Sequence, residues 1–132
     1  MKIEIHGEVI VKIERIIELY NNYKESTQTI SNALKVIGKS QIEIAGVLIN
    51  NNPDRDKLFN YIKNFNQSEK DVVKAMFEFG KDFDNPARDD FQFYIENSHL
   101  REDHEIDDMI AKPLSKHLKQ GLMKLDIIKR IN

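Results

Sequence analysis

The chain's densest run of side chains with chemical reach is His99-Leu100-Arg101-Glu102-Asp103-His104-Glu105, followed by Asp107 and Asp108. Imidazoles and carboxylates can hold zinc or harder divalent ions, and the same groups serve as general acids and bases. On a helix, His104 would share a face with Asp107 or Asp108 at three- or four-residue spacing. For both imidazoles to meet one ion, Leu100 to Asp103 would have to fold back tightly, with Asp107 or Asp108 as a third ligand. The candidate polar cluster is therefore His99, Glu102, His104, Asp107 and Asp108. Its spacing reproduces no His-Glu-x-x-His helix, and the chain holds no phosphate-binding Gly-rich loop, no Gly-x-Ser-x-Gly elbow and no recognisable Ser/His/Asp arrangement. The plainer expectation is a hydrated loop in which Leu100 points inward and the acids occupy the first turn of the next helix, where the helix dipole favours them. On that expectation the protein holds no metal and no cofactor. His117, beside Leu114 and Leu118, is expected to be half-buried packing, and His6 to sit at a helix entry.

Composition narrows the classes of function. The chain has no Cys, which excludes disulfides, thiolate metal sites and a cysteine nucleophile. Twenty basic side chains against 22 acidic ones give a net charge of -2, unlike a strongly basic nucleic-acid binder. A helix-turn-helix over Glu69 to Ser98 has the right outline, but its second helix would carry Asp89, Asp90 and Glu96 toward phosphates with only Arg88 to offset them. Nucleic acid is therefore disfavoured as a partner. No apolar run approaches the roughly 18 residues of a membrane span, and Met1 to Gly7 lacks the basic stretch and apolar block of a secretion signal, so a cytoplasmic chain with no membrane partner is expected. Charge is segregated: residues 82 to 108 hold ten acids against Arg88 and Arg101, while residues from Met109 onward hold six bases against Asp126. Neighbouring helices of opposite charge could neutralise each other, or the two signs could drive self-association, including a homodimer, or meet a charged partner.

The elements that must position these residues are helical. Val9, Ile10, Ile13, Ile16, Ile17, Tyr20 and Tyr23 recur at three- and four-residue spacing and predict an amphipathic helix from Glu8 to about Tyr23. Met1 to Ile5 alternates polar and apolar residues, as a short strand or extended arm would, and Gly7 breaks it. Glu25 to Asn52 suits either short helices or a β-hairpin around Gly38 to Ser40. Helices are favoured because no other segment supplies strand partners. Asn52-Pro53-Asp54 predicts a helix start, with Leu58, Phe59, Ile62 and Phe65 as its stripe to about Asn64. Ser68 with Asp71 resembles a capping box for a second helix ending at Gly80, and the two should form an antiparallel hairpin. Asn85-Pro86 repeats the start signal for a helix reaching about Ser98, and another is expected over Asp103 to Ala111. Pro113 then precedes a final helix with the stripe Leu114, Leu118, Leu122 and Leu125, in which Gly121 implies close approach to another backbone. The expected fold class is all-α: one helical domain over residues 1 to 132, with about five or six helices. Leu58, Ile62, Val72, Met76, Phe91, Ile95, Leu118 and Leu122 should be its core.

Three blocks carry a resemblance: the Ile-rich arm and helix from Ile3 to Tyr20, "KLFNYIKNFNQSEKDVVKAMFEFGKDF" from Lys57 to Phe83, and "IAKPLSKHLKQGL" from Ile110 to Leu122. In these the chain resembles a family of small bacterial helical proteins, the domain of unknown function 3775. The family's C-terminal block is matched at Pro113, Leu114, Leu118, Gly121 and Leu122. Where the family continues its glycine with Arg-Gly, this chain has Gly80 followed by Lys81 and Asp82. The resemblance implies a helical fold and no particular activity. Together these features lead to the expectation of a non-catalytic protein-interaction or regulatory module, with a small hydrolase or metal-dependent enzyme using the His99 to Asp108 cluster as the alternative.

Overall fold

A computed structural model of the chain describes residues 7–34, 52–82 and 91–131. Among these residues there are six α-helices and no strand: α1 (Gly7–Leu34), α2 (Pro53–Lys63), α3 (Gln67–Lys81), α4 (Phe91–Asn97), α5 (Asp103–Ile110) and α6 (Leu114–Ile131). The fold is all-α. The arm Met1 to Ile5, His6, the Gly38 to Ser40 region and the Asn85-Pro86 start signal lie outside the described residues.

α1 runs eleven residues beyond Tyr23, where the apolar stripe stops. Its polar second half keeps helical geometry: Ser26 Oγ donates to the Tyr23 carbonyl (2.9 Å) and Thr29 Oγ1 to that of Glu25 (3.0 Å). Asn52 begins α2 as its sequence implies, its side-chain oxygen accepting from the Asp54 backbone N–H at 2.8 Å. The same amide donates to Ser26 Oγ (2.9 Å), so a single buried Asn both caps α2 and fastens it to α1.

Two local expectations at α3 are corrected. The capping box is formed by Asn66 and Glu69, two residues before the expected Ser68 and Asp71. Asn66 Oδ1 accepts from Glu69 N–H (2.9 Å), and Glu69 Oε1 accepts from Asn66 N–H (3.1 Å). Gly80 does not stop the helix, since Lys81 is still helical and Asp82 forms the cap. Gly80 is instead the point where α3 crosses α6. A Cβ there would lie 1.7 Å from the His117 carbonyl oxygen, and one on Gly121 would lie 2.5 Å from that of Met76. The sequence expectation of close backbone approach at Gly121 is thus met, with Gly80 as its counterpart.

The expected α2–α3 hairpin does not form. α2 packs on α1 and α5, whereas α3 packs chiefly on α6 and also on α4. The Asn64 to Asn66 connection turns the chain away because the apolar faces of α2 and α3 have better partners elsewhere. Leu58, Ile62, Met76, Phe91 and Leu118 are fully buried, as are Phe77 and Phe79. Val72, Ile95 and Leu122, also expected in the core, are only partly buried at its margin. Tyr20 donates from its hydroxyl to the Lys112 carbonyl (3.0 Å), tying the α5–α6 connection to α1. Lys12 of α1 pairs with Glu69 at the start of α3, which raises the lysine's pKa and lowers the glutamate's, chiefly through their hydrogen bond. No described helix is long and apolar enough to cross a membrane.

Candidate functional site

The polar cluster singled out in the sequence is dispersed. His99 is drawn toward α3, where its Nδ1 lies 3.4 Å from Asp71 Oδ2 with the imidazole still 39% exposed. Asp71 also accepts from Gln67 Nε2 (2.8 Å) and from the Leu100 backbone N–H (3.3 Å), while Gln67 donates to the Leu100 carbonyl (3.0 Å). Two polar residues one turn apart on α3 therefore pin the α4–α5 connection. Leu100 is buried beneath them, as its lone apolar side chain in a charged run implies.

The other cluster members lie on α5 or at its start. Glu102 is the exposed N-cap residue, its backbone N–H donating to Glu105 Oε1 (3.3 Å). His104 and Asp108 are exposed. Asp107 accepts from Arg55 Nη2 of α2 at 2.7 Å, and the neighbouring Asp103 pairs with Lys63 at 3.2 Å. Among the described residues no group of three or more His, Asp or Glu side chains could hold one metal ion.

His99 lines a cleft, a groove of about 290 Å³ between α3 and α4. Lys74, Glu78 and Asp82 form its α3 wall; Phe93, Tyr94, Asn97, Ser98 and His99 form the other. The wall charges are already matched. Glu78 pairs with Lys74 (3.4 Å) and Lys81 (3.6 Å), and Asp82 Oδ2 accepts from the Tyr94 hydroxyl at 2.6 Å. Lys124 reaches in from α6 to the Asp82 carbonyl (3.2 Å) and stands 4.4 Å over the Phe79 ring. A carboxylate beside Nδ1 favours the tautomer that leaves Nε2 as an acceptor, the state a general base needs. The lining hydroxyls offer no ready nucleophile: Ser98 is buried and Tyr94 is committed to Asp82.

Sequence reasoning missed Asp71, Gln67, Tyr94 and Asp82 as partners in this region. The i, i+4 spacing of Gln67 with Asp71 and of Lys74 with Glu78 was visible. The contact between Asp71 and His99 spans 28 residues and has no local signature. Comparison of the chain with protein-family models, with curated proteins and with solved structures finds no match.

Proposed function

We propose that this protein is a cytoplasmic, non-catalytic interaction or regulatory module that meets a basic protein surface through the acidic face of α4 and α5. The observation that supports it is the dispersal of the polar cluster, which leaves Glu96, Glu102, Asp103 and Asp108 exposed to water instead of facing one another across a pocket. Exposed carboxylates suit electrostatic docking, which sets association rate and specificity and weakens as salt screens it. The test is capture of partners from the native cell by the wild-type chain and by a Glu102→Lys, Asp108→Lys variant. A partner held by the wild type, released by salt and lost with the charge reversal would support this reading. Equal capture by both chains, indifferent to salt, would remove it.

The enzymatic alternative is supported by one observation, the Asp71–His99 pair beside the α3–α4 cleft. It contracts from five residues to His99, oriented by Asp71, acting as a general base. Its test is a hydrolase substrate panel on wild type and His99→Ala, where only an activity lost in the variant would favour it.

A further inference from the structure

We propose that the outward face of α1 and α6 is a self-complementary surface through which two copies of this chain pair about a two-fold axis. The two helices run antiparallel. Tyr20 bonds to Lys112 near one end, and at the other Ile10 and Glu14 meet Leu122 and Leu125 across a shallow groove. The exposed face of α1 includes Val11, Glu14 and Glu18, at spacings of three and four residues, with Glu8 and Arg15 beside them; that of α6 includes Lys116, Lys119 and Met123, again at three and four, and continues to Asp126. The antiparallel register sets Val11 level with Met123, Glu14 with Lys119 and Glu18 with Lys116.

Val11 (64% exposed) and Met123 (56%) are also the two most exposed large apolar side chains among the described residues. Within these faces each helix carries one apolar side chain with two like charges along the same stripe, acidic on α1 and basic on α6, and an acid, Glu8 or Asp126, lies beyond each apolar side chain. Glu18 already pairs with Arg15 at 2.7 Å on its own helix, but exposed pairs of this kind are weak and readily exchanged.

A two-fold axis lying between the helices and parallel to them carries α1 of one copy over α6 of the other at the same level. Val11 then faces the partner's Met123, Glu14 the partner's Lys119 and Glu18 the partner's Lys116, and each match occurs twice, as an isologous interface requires. Stacking α1 on α1 would instead oppose acid with acid. A basic helix from another protein would suit α1 and be repelled by α6. A surface bearing both signs in this order fits both helices, and this chain carries one. The inference uses neither α4 nor α5 and stands or falls independently of the acidic-face reading.

The test is sedimentation equilibrium of the full chain at low salt. The wild type should sediment at twice the 15.5 kDa chain mass and shift toward single chains as salt rises. The double variants Glu14→Lys with Glu18→Lys, and Lys116→Glu with Lys119→Glu, should each weaken pairing by about tenfold or more. An equimolar mixture of the two should pair again, because each altered stripe then meets its opposite. Their circular dichroism should match the wild type, since all four positions are exposed. A wild type that stays single at the highest concentration reached, variants that pair like the wild type, or a mixture that fails to pair would each overturn the proposal.

Discussion

His117 couples the α3–α6 crossing to pH. Its Nδ1 is buried without a hydrogen-bond partner, and its ring stands edge-on to Phe77 with centroids 5.2 Å apart. Burial first, and then the charges of Lys81 and Lys116, hold its pKa below the ordinary value of about 6.5, outweighing a hydrogen bond donated by the ring to Gln120 and the charge of Glu78. The unfolded chain therefore takes up a proton that the folded chain resists. The stability this represents is fully present above about pH 6.5 and is lost as pH falls through the window below it, down to the folded-state value. Glu69, whose pKa is lowered from about 4.5 by Lys12 and the Asn66 N–H, contributes its own loss only in the more acidic window below that value. His117→Leu should flatten the upper part of the profile and, by removing an unpaired buried nitrogen, leave the neutral-pH melting temperature equal or higher. Thermal melts across the two windows would show it; identical slopes above about pH 5 would count against the assignment. The sequence marked His117 as packing from its place beside the Leu stripe, which was correct. It could not show that the ring would stand edge-on to Phe77, forty residues earlier, or that its Nδ1 would be buried without a partner.

At the scale of elements, the crossing of α3 and α6 is built on two glycines. In an exposed helix interior, Gly→Ala stabilises by roughly 1 kcal/mol. Here the sign should reverse: the added methyl at Gly80 would meet a backbone carbonyl at 1.7 Å, which no rotamer change relieves. Gly80→Ala should cost about 3 kcal/mol or more, or prevent folding. Gly121→Ala should cost less, because part of what it meets is the flexible Met76 side chain at 3.0 Å. Leu118→Ala, a fully buried truncation on the same helix, should cost about 2 to 5 kcal/mol. Chemical denaturation ranks all three, and Gly80→Ala melting at or above the wild type would refute the crossing. Helix existence was legible from apolar spacing and from the Asn52-Pro53 and Pro113 punctuation. Helix ends were less so. A Gly near the end of an apolar stripe is equally a stop signal or a contact, and only the packing partner distinguishes them. Likewise the Asn66-x-x-Glu69 box was present in the sequence beside Ser68 and Asp71, and Asp71 proved to be engaged with Leu100 and His99 instead.

Over the whole molecule, the acidic segment is answered from an unexpected direction. The strong charge contrast between residues 82 to 108 and the C-terminal stretch suggested that these neighbours neutralise each other. Among the described residues, Arg55 and Lys63 of α2 pair with Asp107 and Asp103 of α5, following from α2 packing on α5 where a hairpin with α3 was expected, while Asp84, Asp89 and Asp90 lie outside those residues. Lys112, Lys116 and Lys119 are exposed at the start of α6 and in the turn before it. Within α5 the acids are not equivalent. Asp103 and Glu105 occupy the first turn, where the dipole stabilises negative charge, and Asp107 has Arg55. Asp108 is exposed on the last turn, where the dipole opposes a carboxylate, and no ion pair reaches it among the described residues. Removing its charge should therefore stabilise the fold, by about 0.3 to 1 kcal/mol for Asp108→Asn at low salt, less as salt is added. If the acidic face docks a basic partner, the same change should weaken that docking, so stability and binding would move in opposite directions, as they do at residues kept for function at a cost to the fold. Paired denaturation and binding measurements on this one variant test both halves. A destabilised Asp108→Asn would mean that the carboxylate supports the helix instead, and unchanged partner binding would take Asp108 out of the proposed surface.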